Sequence, residues 1–246
     1  MRHAGILAHS AEGASMCFLT FCRKGFEDLG PHMHPDVTLD CVAMGHSMQA
    51  WEDGDHPAIR EILATSVRRL AQAGADFFVC PDNTAHLALE APGPELALPG
   101  LHIAEVVAER AALEGRKRVG VLGTKYLMGG TLYPRALAAH GIECRLPEAA
   151  DRLIVDEIIF GELVNGLFTD RARREYVRII EGFQAEGCDA VALVCTEIPL
   201  LITPEVSPLP TLPSTTLLAS AAYETATGKR PLPTWRSGPF HPAPAA

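Results

Sequence analysis

The sequence predicts an α/β protein made of two related halves, each with a mainly parallel sheet. Short, wholly apolar runs alternate with longer amphipathic stretches, which is the pattern of strands joined by helical crossovers. Most of those stretches end on a glycine suited to a helix C-cap. The third observation is an internal echo. Ala73-Gly-Ala-Asp-Phe-Phe-Val-Cys-Pro-Asp-Asn-Thr84 is matched by Glu186-Gly-Cys-Asp-Ala-Val-Ala-Leu-Val-Cys-Thr-Glu197, and Gly5-Ile-Leu-Ala-His9 by Gly120-Val-Leu-Gly-Thr124.

In chain order, the candidate strands are His3–Ala8, Val37–Val42, Asp76–Cys80, Arg118–Leu122, Glu143–Leu146 and Ala190–Cys195. Pro57–Gly74 reads as a helix because Ile59, Ile62, Leu63, Val67 and Leu70 recur at helical spacing. Ile103–Gly115, Leu132–His140, Val155–Gly166, Asp170–Gly187 and Ser214–Thr227 read the same way. The expected organisation is a first α/β half over 1–100, rejoined by the helix 214–227, a second half over 101–213, and a proline-rich tail over 228–246. The tail carries Pro231, Pro233, Pro239, Pro242 and Pro244 and is expected to be extended or disordered, with no chemistry of its own.

Composition narrows the function. Of 246 residues, 48% are hydrophobic and 21% charged, so the chain can bury a core and is not a disordered type. Lys and Arg number 21 against 30 Asp and Glu, a formal net charge of −9, which argues against nucleic acid as a partner. No apolar run is long enough to span a membrane. The first residues lack the apolar core and cleavage site of a secretory signal, so the expected location is the cytoplasm. Seven cysteines at irregular spacing, with no Cys-x-x-Cys pair, suggest neither a disulfide framework nor a zinc site. The His32–His34 pair has no partner motif and reads as loop.

The echo singles out the chemistry. Aligning Gly74 with Gly187 places Asp82 on Cys195, Asn83 on Thr196 and Thr84 on Glu197, each just beyond a strand's carboxyl end. In parallel sheets that is where ligands bind. Two such groups approaching a molecule from opposite sides suit removal of a proton from one face and delivery of another to the opposite face. Proton loss beside a carboxylate builds charge on its oxygens, so donors must face them. Asn83, Thr84, Thr124, Thr196 and the His9-Ser10 turn are the candidates, and Glu197 is a further substrate contact. Asp82, Thr84 and Thr196 also read as helix caps, and Glu197 as a partner of a helix N-terminus. His86 and the cysteines at 17, 22, 41, 144 and 188 read as structural.

These residues resemble a known family. Asn83-Thr84-Ala85-His86 together with Cys195-Thr196-Glu197-Ile198-Pro199-Leu200 is similar to the paired motifs of the aspartate/glutamate racemase superfamily. Gly123-Thr124-Lys125-Tyr126-Leu127-Met128 and Gly161-Glu162-Leu163-Val164-Asn165-Gly166 add to the likeness, which covers residues 3–225. The resemblance implies two pseudo-symmetric flavodoxin-like domains, an interdomain cleft holding the active site, and no pyridoxal phosphate, metal or nucleotide cofactor. It implies a cofactor-independent isomerase acting on a small carboxylate, an acidic amino acid first, with Asp82 and Cys195 as opposed acid/base groups. The expected assembly is a homo-oligomer, a dimer first.

Three positions depart from the family pattern. Asp82 stands where most members have cysteine, and Cys80 lies two residues too early to replace it. The first turn is Ala8-His9-Ser10-Ala11-Glu12-Gly13 rather than glycine- and methionine-rich, and Leu127 replaces a frequent threonine. One working thiol also suits a decarboxylase or a cis–trans isomerase of a small dicarboxylate, and a carboxylate-binding protein without turnover is a third reading.

Overall fold

The computed structural model describes residues 1–240; Pro242 and Pro244 lie outside the described residues. The first elements in chain order are β1 (Ala4–Ala8), α1 (Ala11–Leu29), β2 (Val37–Cys41), α2 (Met48–Asp53), α3 (His56–Gln72), β3 (Phe77–Val79), α4 (Ala85–Leu89), β4 (Gly100–Leu101) and α5 (Ile103–Leu113). They are followed by β5 (Arg118–Leu122), α6 (Lys125–Met128), α7 (Leu132–Ala139), β6 (Glu143–Arg145), α8 (Ala149–Gly161) and α9 (Asp170–Ala185). The chain then forms β7 (Ala190–Leu193), α10 (Ile198–Leu201), β8 (Thr211–Pro213) and α11 (Ser214–Thr227). It divides into two compact units. One comprises 1–106 and the residues from 215 onward; the other is 107–214.

Each unit has one four-stranded parallel sheet, ordered β2-β1-β3-β4 in the first and β6-β5-β7-β8 in the second. The two orders correspond strand for strand. Strands β1, β3 and β7 are buried along their length and β5 beyond Arg118, which is why they read as apolar runs. Edge strand β2 is half-exposed and mixes polar with apolar residues. Helices cover the sheets. In the first unit Phe21, Val79, Ile103 and Leu218 share one core, and Leu7, Leu63, Val67 and Phe78 another. In the second, Ile158, Tyr176, Phe183, Val191 and Leu193 pack together.

The internal echo has a physical basis in both units. Gly74 and Gly187 follow α3 and α9 with φ of 89° and 84°, left-handed values that favour glycine. After each, the chain folds back through matching bonds, Ala75 N–H to Leu70 O at 3.1 Å and Cys188 N–H to Phe183 O at 2.9 Å. Asp76 and Asp189 then tie down the start of the central strand. Their Oδ2 atoms accept from the His3 and Lys117 N–H groups, both at 2.7 Å. Gly120 is small for a packing reason, because a Cβ there would stand 2.4 Å from the Phe183 ring.

Several elements depart from the sequence expectation. Helix α1 buries Ala14, Cys17, Phe21, Cys22 and Gly25 on one face, an apolar stripe partly written in cysteine and glycine. The two-residue β4 and the proline-ended β8 carry no periodicity long enough to read. Cys41 is exposed at the end of β2, not packed in the core.

The described part of the tail, 228–240, is extended, yet it is packed against the first unit. Trp235 is buried, and its carbonyl accepts from the Gly100 N–H at 2.8 Å. Arg236 exchanges bonds with Leu96. Through Trp235 the segment gives β4 a partner on its outer side, where an edge strand otherwise leaves groups unpaired.

Candidate functional site

In each sheet the first central strand is flanked by the second and third strands of its unit, so the crossover direction reverses between β1 and β3 and between β5 and β7. Beyond the carboxyl ends at such a reversal two helices diverge and leave room for a ligand. The chain places His9 and Asp82 at the first reversal and Thr124 and Cys195 at the second. All four were singled out from the sequence.

In the first unit, His9 directly follows β1 and is buried. Its Nδ1 lies 2.7 Å from Asp82 Oδ2, and its Nε2 lies 3.0 Å from Ser47 Oγ. The Ser47 hydroxyl also reaches the Met44 carbonyl, at 2.8 Å. Asp82 Oδ1 accepts from the Ala85 N–H at 3.1 Å, so the carboxylate starts α4 with one oxygen and meets His9 with the other. Burial pushes the Asp82 carboxyl up, but the hydrogen bonds from His9 and the Ala85 N–H outweigh it and hold the group below the usual carboxylate range. Cys80 is fully buried; burial, with the Asp82 charge added, pushes its thiol well above the ordinary value. It cannot serve as the missing second thiol.

Behind this turn, His86 Nδ1–H donates to the Asp82 carbonyl at 2.9 Å, and its Nε2 accepts from the Ile103 N–H at 3.3 Å. His86 thus pins the Asp82 loop to the start of α5. Around it, His102 bonds Glu90 Oε1 through Nε2 at 3.0 Å, and Trp235 from the tail stacks on His86 at 5.9 Å between ring centroids. Burial, then the neighbouring His102, pushes His86 down to about 3, so the fold holds it neutral.

That shift predicts acid sensitivity. Below about pH 6.5 the unfolded chain binds a proton at this imidazole that the folded chain refuses until about pH 3. Stability contributed by neutral His86 is therefore complete above about pH 6.5, and each pH unit lost below it costs on the order of 1.4 kcal/mol. The lowered carboxyl of Asp82 acts in the same direction but only below about pH 4, near its unfolded value. Urea unfolding at pH 7, 6 and 5 should show the wild-type midpoint falling with pH. His86→Gln should start lower at pH 7 and show a flatter dependence.

In the second unit, Thr124 follows β5 and begins α6, with its backbone extended and its side chain nearly buried. A Cβ at the preceding Gly123 would stand 2.6 Å from Val194 Cγ2, so glycine lets the mouths of β5 and β7 approach closely. Cys195 is half-buried. Its Sγ–H donates to Glu197 Oε2 at 3.0 Å, and the Thr196 hydroxyl donates to the same oxygen at 2.7 Å. Two donors converge on this one oxygen, so Glu197 is the acceptor that faces the Cys195 thiol. Tyr176, buried beneath, is a residue that sequence reading missed, as is Ser47 in the first unit. Burial, then the charges of Cys195, Asp156 and Glu197, raise its phenol well above the ordinary value, so it stays neutral beside them. Only its place in the buried stripe of α9 marked it.

The residues expected to contact a substrate fall into three sets. Asn83, Thr84 and Thr124 sit at the strand mouths, Asn83 and Thr124 buried and Thr84 half-buried. Ser10 is instead the N-cap of α1, accepting from the Gly13 N–H at 3.2 Å. His9, Thr196 and Glu197 are engaged with Asp82, Cys195 and their neighbours. The described residues contain no group of three or more His, Cys, Asp or Glu placed to hold a metal ion, and no helix long and apolar enough to cross a membrane.

Residues 14–222 match the family model for Asp/Glu/hydantoin racemases. The chain belongs to that family. Among racemases of known or assigned activity, the broad-specificity amino-acid racemase RacX of Bacillus subtilis is 22% identical over 178 residues, covering 70% of this chain and 74% of RacX. A solved structure from Yersinia pestis, described as a candidate Asp/Glu racemase, is 30% identical with a TM-score of 0.83, covering 92% of this chain and all of that one. An aspartate racemase homologue from Pyrococcus horikoshii is 25% identical with a TM-score of 0.79 and the same coverage. As a member of the Asp/Glu/hydantoin racemase family, the protein is an isomerase, with racemase activity on an amino acid.

Proposed function

We propose that this racemase inverts an amino acid by a cofactor-independent two-base mechanism, with Asp82 serving one face of the α-carbon and Cys195 the other. The observation that carries the reading is that corresponding strand ends, after β3 and β7, hold a carboxylate and a thiol, each with a bonded partner that sets its proton. Asp82 takes the α-proton; the C–H electron pair passes into the substrate carboxylate, whose oxygens gain charge. Asn83, Thr84 and Thr124 are the donors proposed to face them. Cys195 then gives its S–H proton to the opposite face. Glu197, whose Oε2 faces the Cys195 thiol, is the acceptor that lets Cys195 take up the base role for the other enantiomer.

The proposed substrate class is acidic, aspartate or glutamate, as the names of the Yersinia and Pyrococcus relatives suggest. RacX, named for broad specificity, and the ionised Asp82 place neutral amino acids beside them in the test. In this reading the protein works in the cytoplasm as a homo-oligomer.

The experiment is incubation with single enantiomers in D₂O, following α-deuterium by NMR and inversion by chiral chromatography. Inversion with one solvent deuterium per turnover is the expected result. Exchange without inversion overturns the two-base reading. Carbon dioxide release from a malonate would identify a decarboxylase, and stabilisation by a carboxylate without turnover a binding protein.

A further inference from the structure

The first-unit cluster contains more than the proposed base. We infer that His9 is not a substrate contact but a positioning residue that, backed by Ser47, keeps Asp82 ionised and aimed. This deepens the racemase reading and rests on it for its use, although the proton arrangement itself does not.

The argument is one of donors and acceptors. Ser47 has a single hydroxyl proton and lies between His9 Nε2 at 3.0 Å and the Met44 carbonyl at 2.8 Å. With the hydroxyl turned to Met44, its oxygen accepts from Nε2–H, and a proton on Nδ1 as well makes His9 an imidazolium. With the hydroxyl turned to Nε2, Ser47 donates, and neutral His9 carries its one proton on Nδ1. The Met44 carbonyl tolerates the turn because it also accepts from the Ser47 N–H at 2.9 Å. In both settings Nδ1–H points at Asp82 Oδ2, 2.7 Å away. Moving that proton onto the carboxylate would run against the ordinary order of acidity of a carboxyl and an imidazolium. The Ala85 N–H on the other oxygen further favours the ionised form.

The surroundings fit this role. Ser47 is fully buried, so its exchange of donor and acceptor is not shared with bulk water. The Trp51 indole packs 6.1 Å from the His9 ring at a 56° tilt and holds its plane. The titratable groups near Asp82 include His86, which is neutral, and the Cys80 thiol, which burial keeps protonated. His9 is the side chain that bonds the Asp82 oxygen left free by the Ala85 N–H. In the second unit Thr124 stands where His9 does in the first, and the thiol partner comes from the following turn as Glu197. A carboxylate base requires a donor beside it and a thiol acid an acceptor, and each sheet supplies the kind its own group requires.

The test uses the intact protein in two measurements. The first is ¹⁵N-edited NMR of the His9 ring, assigned by its loss in His9→Leu, between pH 5 and 8. A protonated Nδ1 with a far-downfield proton throughout, lost in Asp82→Asn, is expected; an unprotonated Nδ1 overturns the inference whether or not the protein racemises anything. The second is the pH profile of kcat/KM for the amino acid turned over. In His9→Leu the acidic limb should move up by at least one pH unit and kcat should fall tenfold or more at neutral pH with KM little changed. His9→Gln, whose amide can still donate to Asp82, should recover part of the loss, and Ser47→Ala should show a smaller shift in the same direction. A rise in KM with an unmoved limb would make His9 a substrate contact and overturn the inference, while leaving the racemase reading intact. Protonated Nδ1 with no turnover of any amino acid would overturn the racemase reading and leave the proton arrangement standing.

Discussion

Cys195→Ala is expected to lower kcat/KM for racemisation by about 10²–10⁴-fold, the usual cost of losing a positioned acid or base. That is roughly 3–5 kcal/mol of transition-state stabilisation. Folding should be nearly unaffected, because the thiol is half-buried and its partner Glu197 keeps the Thr196 hydroxyl. One activity should survive. With Asp82 intact, the α-proton of the enantiomer facing it still exchanges with solvent, so deuterium enters without inversion, while the other enantiomer exchanges slowly. Chiral separation of D₂O incubations reads both. Equal loss of exchange from both enantiomers would show that Cys195 serves both faces and that Asp82 is only a cap.

Asp82→Asn should cost a comparable 10²–10⁴-fold in kcat/KM with the opposite signature, exchange surviving only for the enantiomer that faces Cys195. The amide oxygen can still accept from the Ala85 N–H, so α4 keeps its start, but position 82 no longer offers a base. His9 would then face an amide, and the acidic limb that Asp82 contributes to the kcat/KM profile should vanish. Asp82→Cys restores the residue type usual in the family and is the informative companion variant. Measurable inversion by that variant beside an inactive Asp82→Asn would establish the position as a proton-transfer site. Full activity in Asp82→Asn would overturn the two-base reading.

Much of the fold was legible because parallel strands buried on both faces must be apolar throughout. Arg118–Leu122 and Ser214–Thr227 have in the structure the bounds read from the pattern. The repeat was legible because its conserved constraints are local. A glycine leaves a helix at positive φ, an aspartate bonds the neighbouring strand, and two polar residues follow at the strand mouth. What stayed hidden had short or irregular signals. Helix α1 escaped because cysteine and glycine fill its buried face, β4 and β8 because two or three residues carry no period, and the packed tail because its anchor is one tryptophan among prolines.

For the site, the sequence by itself determined which residues stand at the strand ends: Asp82 with Asn83 and Thr84, Cys195 with Thr196 and Glu197, His9 and Thr124. Chain order alone places them there, since each lies within a few residues of the end of a strand. Only the tertiary structure decided their states. His9 and Asp82 are 73 residues apart and His9 and Ser47 are 38 apart, and these pairs meet because β1 lies beside β3 and the segment after β2 folds over the end of β1. A proton's position depends on the donor or acceptor within 3 Å, and that neighbour is set by sheet order, not by motif. So a missing cysteine could be read from the sequence, but the histidine and serine that hold its replacement as a carboxylate could be read only from the fold.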